Sequence, residues 1–429
     1  MKGPFFTYTL TYGGAVASLF YPLIGVMIYI CFAIIEPPAM WYWSVPPGNY
    51  ARIVAIAALI GWTLKGFGDW RLGRAAPVFL ALAGYLLWSA AGIAFCSHPP
   101  VAQHFVIELA KVFLPFVAGL TLMQSVKQVK QLAWVIVLSQ GYLAYEFNVS
   151  YYQGWNRVQQ AGFAGLDNNS IAISMAAGVG FAFFLGLREK ILWRKALAFL
   201  CATLEAHVIM FSFSRGGLLA LIITGIVGFL LVPKKPMYYV VFALAVVLGL
   251  RLAGPQVRER FATVFVDPEE RDASASSRLE MWKDCLDVMR RKPIMGCGPD
   301  HWPIIAPEYG WNRGKEAHSL WLQIGAELGI PGLGFLLAFY GICMWRLWLL
   351  ARPRARLPDP WLKDAARMVI AALVGFGVAA QFVSLEGLEV PFYITLVGAG
   401  ALKMSTWRPT LPAGEMPLGA PAENAAQPA

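Results

Sequence analysis

The sequence has little charge for its length, and this excludes an ordinary water-soluble fold. Asp, Glu, Lys and Arg make up 14% of the 429 residues and hydrophobic residues 58%, whereas soluble domains carry about 25% charged residues. Apolar runs of about 20 residues, long enough to cross a bilayer as helix, recur along the chain. The period-two alternation of a membrane β-barrel is missing. We therefore predict an all-α polytopic membrane protein.

Sequence motifs for metal and nucleotide binding are also missing. The chain has no HExxH, paired CxxC, Walker-type loop or nucleophile elbow. GIPGLG lies inside an apolar stretch, which excludes a nucleotide loop. The acidic run DPEERD, Asp267–Asp272, includes Arg271, which favours a solvated loop over a cation site. The sequence therefore predicts no metal and no cofactor.

About twelve apolar runs are predicted to cross the membrane. They lie near Leu19–Ile35, Ala51–Gly66, Ala76–Cys96, His104–Met123, Val129–Phe147, Ile171–Leu187, Ala196–Phe211, Gly216–Val232, Met237–Leu252, Leu320–Leu349, Ala366–Val383 and Leu388–Leu402. Residues Thr7–Ile35 leave three alternatives open: one tilted span, a hairpin, or an interfacial helix followed by one span. A hairpin would move the N-terminus outside.

Lys and Arg concentrate in alternate connectors, which indicates the orientation in the membrane. The basic connectors are KGFGDWRLGR, QSVKQVKQ, LREKILWRK, VPKKP and WRLWLLARPRARLPDPWLK, whereas EPPAMWYWSVPPG, SHPPVAQ and SLEGLE have no Lys or Arg. This alternation predicts that both termini are cytoplasmic and that Arg215 and residues 254–318 lie outside. The net charge of +10 is mostly this orientation signal. Its scattered residues form no single stripe, so no nucleic acid partner is expected.

The chain is predicted to divide into four segments. Residues 1–253 form a transmembrane bundle of nine spans, residues 254–318 a long outer loop domain, and residues 319–405 the last three spans. Residues 406–429 are rich in Pro and Ala without apolar periodicity, which predicts a disordered cytoplasmic tail.

Arg215, in the string FSFSRGG, is the first candidate for chemistry. It is predicted at a turn between two helices on the outer side. Arginine keeps its charge and offers a planar fork to two oxygens of a diphosphate. Gly216 and Gly217 would let a bulky ligand approach the backbone. The alternative is an arginine that caps a helix end, but the positive-inside bias disfavours a bare arginine on this face.

His318 closes the long outer loop, in the string EAHSLWLQIGAELGIPGLG. The ordinary pKa of histidine is near neutrality, which suits it to remove a proton from a sugar hydroxyl. A structural histidine is the open alternative. The apolar stretch that follows, of about thirty residues, is longer than a membrane is thick, so we expect it to break at Gly329–Gly332.

Arg278 lies in the outer loop, in the string ASASSRLEMWKDC. Ser277 and Glu280 have the spacing of a capping box, which places Arg278 in the first turn of a helix that ends by Pro293. A solvated loop arginine and a ligand-binding arginine are both compatible with this position.

Four further residues are candidates for substrate binding. Arg157, Asn168 and Asn169 lie in WNRVQQAGFAGLDNNSIA, just before a predicted span, where N-capping is the alternative for the Asp-Asn-Asn cluster. Lys111 is three residues from Glu108 on one helix face. The two could simply neutralise each other, which the spacing favours, or Lys111 could face a lipid phosphate.

Cys285 and Cys297 share the outer loop, which faces an oxidising compartment. A disulfide and two free thiols both remain open, because sequence does not show their separation.

Four strings together resemble a known family. RVQQAGFAGLDNNSIA, FSFSRGG, SSRLEMW with a following GCG, and AHSLWLQIGAELGIPGLG are similar, in order and spacing, to the O-antigen ligase and polymerase superfamily of bacterial inner membranes. The resemblance covers about Arg157 to Phe335. One departure is Ser319, where the family commonly shows asparagine after the histidine.

The resemblance implies a GT-C-like glycosyltransferase with one long periplasmic loop and an active site facing the periplasm. Such an enzyme takes a glycan from undecaprenyl diphosphate, a carrier among the membrane lipids, and joins it to an acceptor. It does so without a metal. By resemblance, Arg215 and Arg278 would hold the diphosphate and His318 would activate the acceptor hydroxyl. Arg157 is a lesser candidate.

The loop pattern favours one branch of the superfamily. Ligases tend to have one large outer loop and polymerases two, and this chain has one long loop. This favours a ligase whose acceptor is lipid A–core oligosaccharide. The alternatives are an O-antigen polymerase, a protein O-oligosaccharyltransferase, an exopolysaccharide-attaching relative and, from another class, a lipid-glycan flippase or transporter. A flippase should need charged residues that line the midplane.

Overall fold

The structure is a computed structural model that describes residues 2–232, 239–240, 273–384 and 388–406, and every regular element in these ranges is a helix. The all-α prediction is confirmed for this part of the chain. The helices are α1 (Lys2–Tyr8), α2 (Gly14–Phe20), α3 (Pro22–Ile35), α4 (Pro37–Met40), α5 (Tyr50–Leu64), α6 (Ala76–Gly92), α7 (Pro99–Leu122), α8 (Val126–Tyr152), α9 (Arg157–Gln160), α10 (Asn168–Arg188), α11 (Leu192–Phe211), α12 (Arg215–Leu231), α13 (Ala273–Arg291), α14 (Trp302–Ile305), α15 (Leu320–Ala351), α16 (Trp361–Ala379) and α17 (Val390–Met404).

Five stretches of the described chain are long and apolar enough to cross a membrane. They are Pro22–Met40, Gly73–Phe95, Pro99–Leu122, Asn168–Arg188 and Leu320–Ala351. Helices α5, α12 and α17 are apolar but shorter. The chain is thus a multi-pass membrane protein by the length and composition of its helices. The count of twelve spans stays a prediction, and most of the run Met237–Leu252 lies outside the described residues.

Helix α10 is the central helix of the bundle. Within its membrane-spanning window 83% of the residues are buried, because α8, α11, α12 and α16 all pack around it. Its small residues, among them Ala172, Ala176, Gly178 and Gly180, are buried and permit this close approach. The N-terminus of α10 therefore has a fixed position, and the candidate site is built around it.

The first thirty-five residues form a hairpin, which was one of the three alternatives. Helix α2 ends before Tyr21, which is non-helical (φ −128°, ψ 73°), and α3 begins at Pro22. The two arms run antiparallel, since the ring of Phe6 lies 6.2 Å from that of Phe32 and 5.4 Å from that of Trp41. The N-terminus therefore lies beside Trp41.

This hairpin corrects two expectations. The span predicted near Leu19–Ile35 begins later, at Pro22, because Leu19 belongs to α2 on the other side of the turn. The N-terminus lies at the end of the bundle that carries EPPAMWYWSVPPG, a connector without Lys or Arg, and not at the basic end. The sequence hid the turn because its residues, Phe-Tyr-Pro, are themselves apolar.

Helix α15 is broken at Gly329, where a break was predicted. This glycine has φ 68° and ψ −173°, and the amide of Ile330 donates to the carbonyl of Pro293 at 2.8 Å. A side chain at position 329 would collide with the backbone at Ile294. The break separates Leu320–Leu328 from the rest of α15. The hydrogen bond from Ile330 to Pro293 connects the break to the chain just after α13.

Residues 273–318, the described part of the loop predicted to lie outside, pack on this first section of α15. Its own buried cluster includes Met281, Val288 and Trp302. The buried carboxylate of Glu327 accepts hydrogen bonds from the amides of Asp300 (3.0 Å) and Trp302 (3.1 Å). The loop is therefore anchored to α15 by apolar packing and by a buried carboxylate.

Cys285 and Cys297 lie in the same buried cluster, and both are free thiols in the structure. Burial raises the pKa of both thiols, so they are protonated at neutral pH. They serve as small apolar residues here, and the disulfide hypothesis is not supported.

We expect impermeant maleimide to label cysteines introduced at Lys2 and Pro47 from the same side of the membrane. The hairpin places both positions at one end of the bundle. Lys127→Cys should be labelled from the opposite side. The measurement is labelling of sealed vesicles of known orientation, with all six native cysteines replaced. If Lys2→Cys is instead labelled from the side of Lys127→Cys, the hairpin is wrong.

Candidate active site

Arg215 is the first residue of α12, directly after a tight turn from α11. Ser214 caps this helix, because its hydroxyl accepts a hydrogen bond from the amide of Gly217 at 3.1 Å. Ser212 accepts from the amide of Ser214 at 3.1 Å, and Phe213 between them has a φ of 55°. The predicted helix-to-helix turn is confirmed, and its conformation fixes where the side chain of Arg215 begins.

The residues Asp167, Asn168 and Asn169 fasten this turn to α10. Asp167 is the N-cap of α10 and accepts from the amide of Ser170 at 2.8 Å, which confirms the capping alternative for this residue. The Asn168 amide group donates to the carbonyl of Ser212 (2.9 Å), and the hydroxyl of Ser214 donates to Asn169 (2.8 Å). Both asparagines thus position Arg215, while direct ligand binding by either stays a prediction.

Gly217, the second glycine after Arg215, was expected to let a bulky ligand approach the backbone, and this expectation is wrong. A side chain at Gly217 would collide with Ala172 of α10, and one at Gly216 would meet Phe382 at 3.3 Å. At Gly217 the missing side chain lets α12 pack closely against α10, rather than letting a ligand reach the backbone.

Arg278 lies in the second turn of α13, not in the first, because this helix already begins at Ala273. Its Nε is buried and has no hydrogen-bond partner. Burial lowers the pKa of this guanidinium, the nearby charge of Arg215 lowers it further, and Asp167 raises it. The structure thus brings Arg215 and Arg278 together, although 62 residues separate them in sequence.

His318 is held in an uncommon conformation between α13 and α15. Its φ is 52°, in the left-handed region that costs a non-glycine residue about 1–3 kcal/mol. The residues around it are fixed: the indole of Trp282 donates to the carbonyl of Ala317 (3.1 Å), and the amide of Ala317 donates to Gln323 (2.9 Å). Because Trp282 is one helical turn after Arg278 on α13, the positions of His318 and Arg278 are coupled.

The imidazole of His318 is neutral in this environment. Burial, together with the charges of Arg278 and Lys315, lowers its pKa to about 4, while Asp167 acts in the opposite direction. Burial raises the pKa of Asp167, but hydrogen bonds from Ser170 and Asn169 outweigh this and lower that pKa overall. A neutral base, two guanidinium groups and one carboxylate therefore share one site.

A cavity of about 320 Å³ is lined by residues close to His318 in sequence. Its lining includes Glu316 and Leu320, two residues before and two after His318, but not His318 itself. Three further carboxylates, those of Glu108, Asp300 and Glu389, line the same space. Sequence reasoning missed this group, because its members come from four distant parts of the chain; only Glu316, next to the histidine motif, gave a local signal.

Lys111 and Arg157, two of the residues predicted to bind substrate, each contact another part of the protein. Lys111 forms an ion pair with Glu108 at 2.5 Å, as its spacing suggested, and it lines a second cavity of about 420 Å³. Arg157 donates to the carbonyl of Ala39 at 2.8 Å and lies over the ring of Phe163. Their roles in substrate binding stay predictions, because each already has a protein partner.

In the described ranges no group of three or more His, Cys, Asp or Glu side chains is arranged to hold a metal ion. The acidic run Asp267–Asp272, the alternative metal candidate, lies outside them.

One comparison with known families gives a match. Residues 197–337 match the family model for O-antigen ligase. The resemblance to that superfamily is confirmed, and Arg215, Arg278 and His318 all lie inside the matched segment. No curated protein matches the chain.

We expect Ser214→Ala to destabilise the protein by about 1–2 kcal/mol, since it removes a helix cap and the bond to Asn169. Thermal unfolding in detergent should show a lower midpoint. Thr203→Ala is the matched control, because that exposed hydroxyl bonds only to the carbonyl of Phe199 in its own helix, at 2.9 Å. Equal midpoints for the two variants would show that the turn does not depend on Ser214.

Proposed function

We propose that this protein is an O-antigen ligase that transfers a glycan from undecaprenyl diphosphate to lipid A–core oligosaccharide. One observation carries the proposal: the half-buried guanidinium of Arg278, whose Nε has no partner among the described residues, is held near Arg215 and a neutral His318. The matched O-antigen ligase domain supports the reaction class. The proposed site faces the periplasm of the bacterial inner membrane.

The two arginines are suited to the donor. Like charges in a half-buried site repel one another, and a bound diphosphate would relieve this repulsion and give the Arg278 Nε an acceptor. When the bond between the sugar and the phosphate breaks, negative charge grows on the diphosphate. Guanidinium groups that are already in place stabilise this charge without reorganising. They would do so without a metal or any other cofactor.

His318 is suited to activate the acceptor. In this proposal the acceptor hydroxyl attacks the anomeric carbon, and a new carbon–oxygen bond forms as the bond to the diphosphate breaks. The leaving electron pair goes to the diphosphate oxygen, and the hydroxyl proton goes to the imidazole of His318.

Donor binding would strengthen this base. With the site empty, burial and the charges of Arg278 and Lys315 hold the pKa of His318 at about 4, which makes it a weak base. A diphosphate between the arginines offsets their field and raises that pKa toward its ordinary value. The imidazole would therefore become an effective base only once the donor is bound.

The cavity lined by Glu316 and Leu320 is the proposed place of the acceptor sugar. Its carboxylates can accept hydrogen bonds from sugar hydroxyls. Burial raises the pKa of Asp300 and Glu316, so these carboxyl groups lack solvation that hydroxyl donors would supply. The site then has a cationic side for the donor and an acidic side for the acceptor, with His318 between them.

The transfer itself is the direct test. Purified protein in lipid nanodiscs, with a radiolabelled carrier-linked glycan and lipid A–core oligosaccharide, should move the label to lipid A–core. Arg278→Lys should lose at least about tenfold in rate, since an ammonium cannot reproduce the two-pronged contact. Arg290→Lys, exposed on the same helix, is the control and should keep the wild-type rate.

The same assay separates the alternatives. Label that accumulates in longer carrier-linked chains, without transfer to the acceptor, would identify a polymerase. Label that crosses the bilayer while it stays on its carrier would identify a flippase. Either result would overturn the ligase assignment.

We expect the acid limb of kcat/KM to lie near pH 4, because this ratio reports the free enzyme, in which the pKa of His318 is about 4. The acid limb of kcat should lie at higher pH, because the bound diphosphate raises that pKa. Rates of transfer measured across the pH range check both limbs.

The variant His318→Ala tests the same assignment of His318 as the base. It should still bind the donor but lose about 10²–10⁴ in turnover. A kcat/KM limb at the ordinary histidine pKa would show that the empty site does not lower the pKa of His318. A His318→Ala variant with normal turnover would show that His318 is not the base.

A further inference from the structure

A large cavity of about 1100 Å³ lies far from the candidate site. It is formed by the turn at Tyr21 and by the first turns of α8 and α11. The candidate site adjoins the other end of α11, where Ser212 lies, and this 20-residue helix is about 30 Å long. The cavity therefore lies at the opposite end of the bundle, the end predicted to face the cytoplasm.

The cavity has a cationic rim. Four of its lining residues are basic, namely Lys65, Lys127, Lys130 and Arg194, and one is acidic, Asp69. Lys130 forms an ion pair with Glu189 at 2.5 Å. In the part of the chain that the structure describes, no carboxylate lies within ion-pair distance of the other three cations.

The walls below this rim are apolar and accessible. Phe20 is 64% exposed, and Ile24 and Leu138 are each 42% exposed. Trp193 also lines the cavity, with the guanidinium of Arg194 5.2 Å from its ring. Tryptophan and arginine side by side are typical of the level where lipid headgroups meet the hydrocarbon core. The cavity is thus cationic at one edge and apolar along its wall.

We propose that this cavity binds an anionic phospholipid. Its headgroup phosphate would contact Lys65, Lys127 and Arg194, and an acyl chain would lie along Phe20, Ile24 and Leu138. Basic pockets between transmembrane helices bind anionic headgroups for the same electrostatic reason. A free phosphate ion would use the cations but leave the apolar wall uncovered, so the lipid matches both parts of the cavity. This site is independent of the proposed glycan transfer.

The test compares two triple variants that lose the same charge from the same predicted face. Lys65→Gln with Lys127→Gln and Arg194→Gln removes the three cations of the rim. Its control replaces the exposed Arg352, Arg354 and Arg356, which lie outside the cavity, with glutamine. Native mass spectrometry counts phosphatidylglycerol adducts after equal additions of phosphatidylglycerol or phosphatidylethanolamine. Monodisperse elution confirms that both variants are folded.

We expect wild type and control to retain phosphatidylglycerol in preference to phosphatidylethanolamine, and the rim variant to retain at least about fivefold less of it. Equal retention by the rim variant, or an equal loss in the control, would overturn the proposal. Leu138→Ser tests the wall and should also weaken retention. Inorganic phosphate that displaces the lipid equally from wild type and Leu138→Ser, with no loss of retention in Leu138→Ser, would indicate a free-phosphate site instead.

Discussion

The main electrostatic constraint on the site is the repulsion between two guanidinium groups, those of Arg215 and Arg278, which lie on different helices. Burial lowers the pKa of Arg278, and the nearby charge of Arg215 lowers it further. Asp167 offsets only part of this charge, and the buried Nε of Arg278 has no partner among the described residues. A fold tolerates such an arrangement when the surrounding structure holds both groups in place, and an anion that binds between them is then favoured over water.

The surrounding structure holds these groups through three helix N-termini. Asp167 caps α10, Ser214 caps α12 and Ser319 caps α15, and each cap lies within two residues of a group in the site. Asn168 and Asn169 join the first two of these ends, and Trp282 joins the third to α13. The site is therefore assembled mainly from hydrogen bonds between turns, above a bundle whose central helix is tightly packed.

Sequence reasoning was strongest where the signal was local. The all-helical class, the turn before Arg215 and the break at Gly329 each follow from a few adjacent residues, and all three are confirmed. The hairpin at Tyr21 had been one of three open alternatives, since its turn is as apolar as its arms. The start of α13 was placed too late because a capping pattern at Ser277 occurs inside the helix. The cavity with Glu108, Asp300 and Glu389 depends on tertiary contacts that a single sequence does not show.

The measurement that tests the account most directly is equilibrium binding of undecaprenyl diphosphate in excess EDTA. If Arg215 and Arg278 form a diphosphate site, wild-type protein binds this lipid at least about tenfold more tightly than undecaprenyl monophosphate, and Arg278→Lys loses that preference. His318→Ala keeps it, because His318 acts on the acceptor. Equal affinity for the two lipids, or binding of the diphosphate that requires Mg²⁺ or Mn²⁺, would contradict the arginine site.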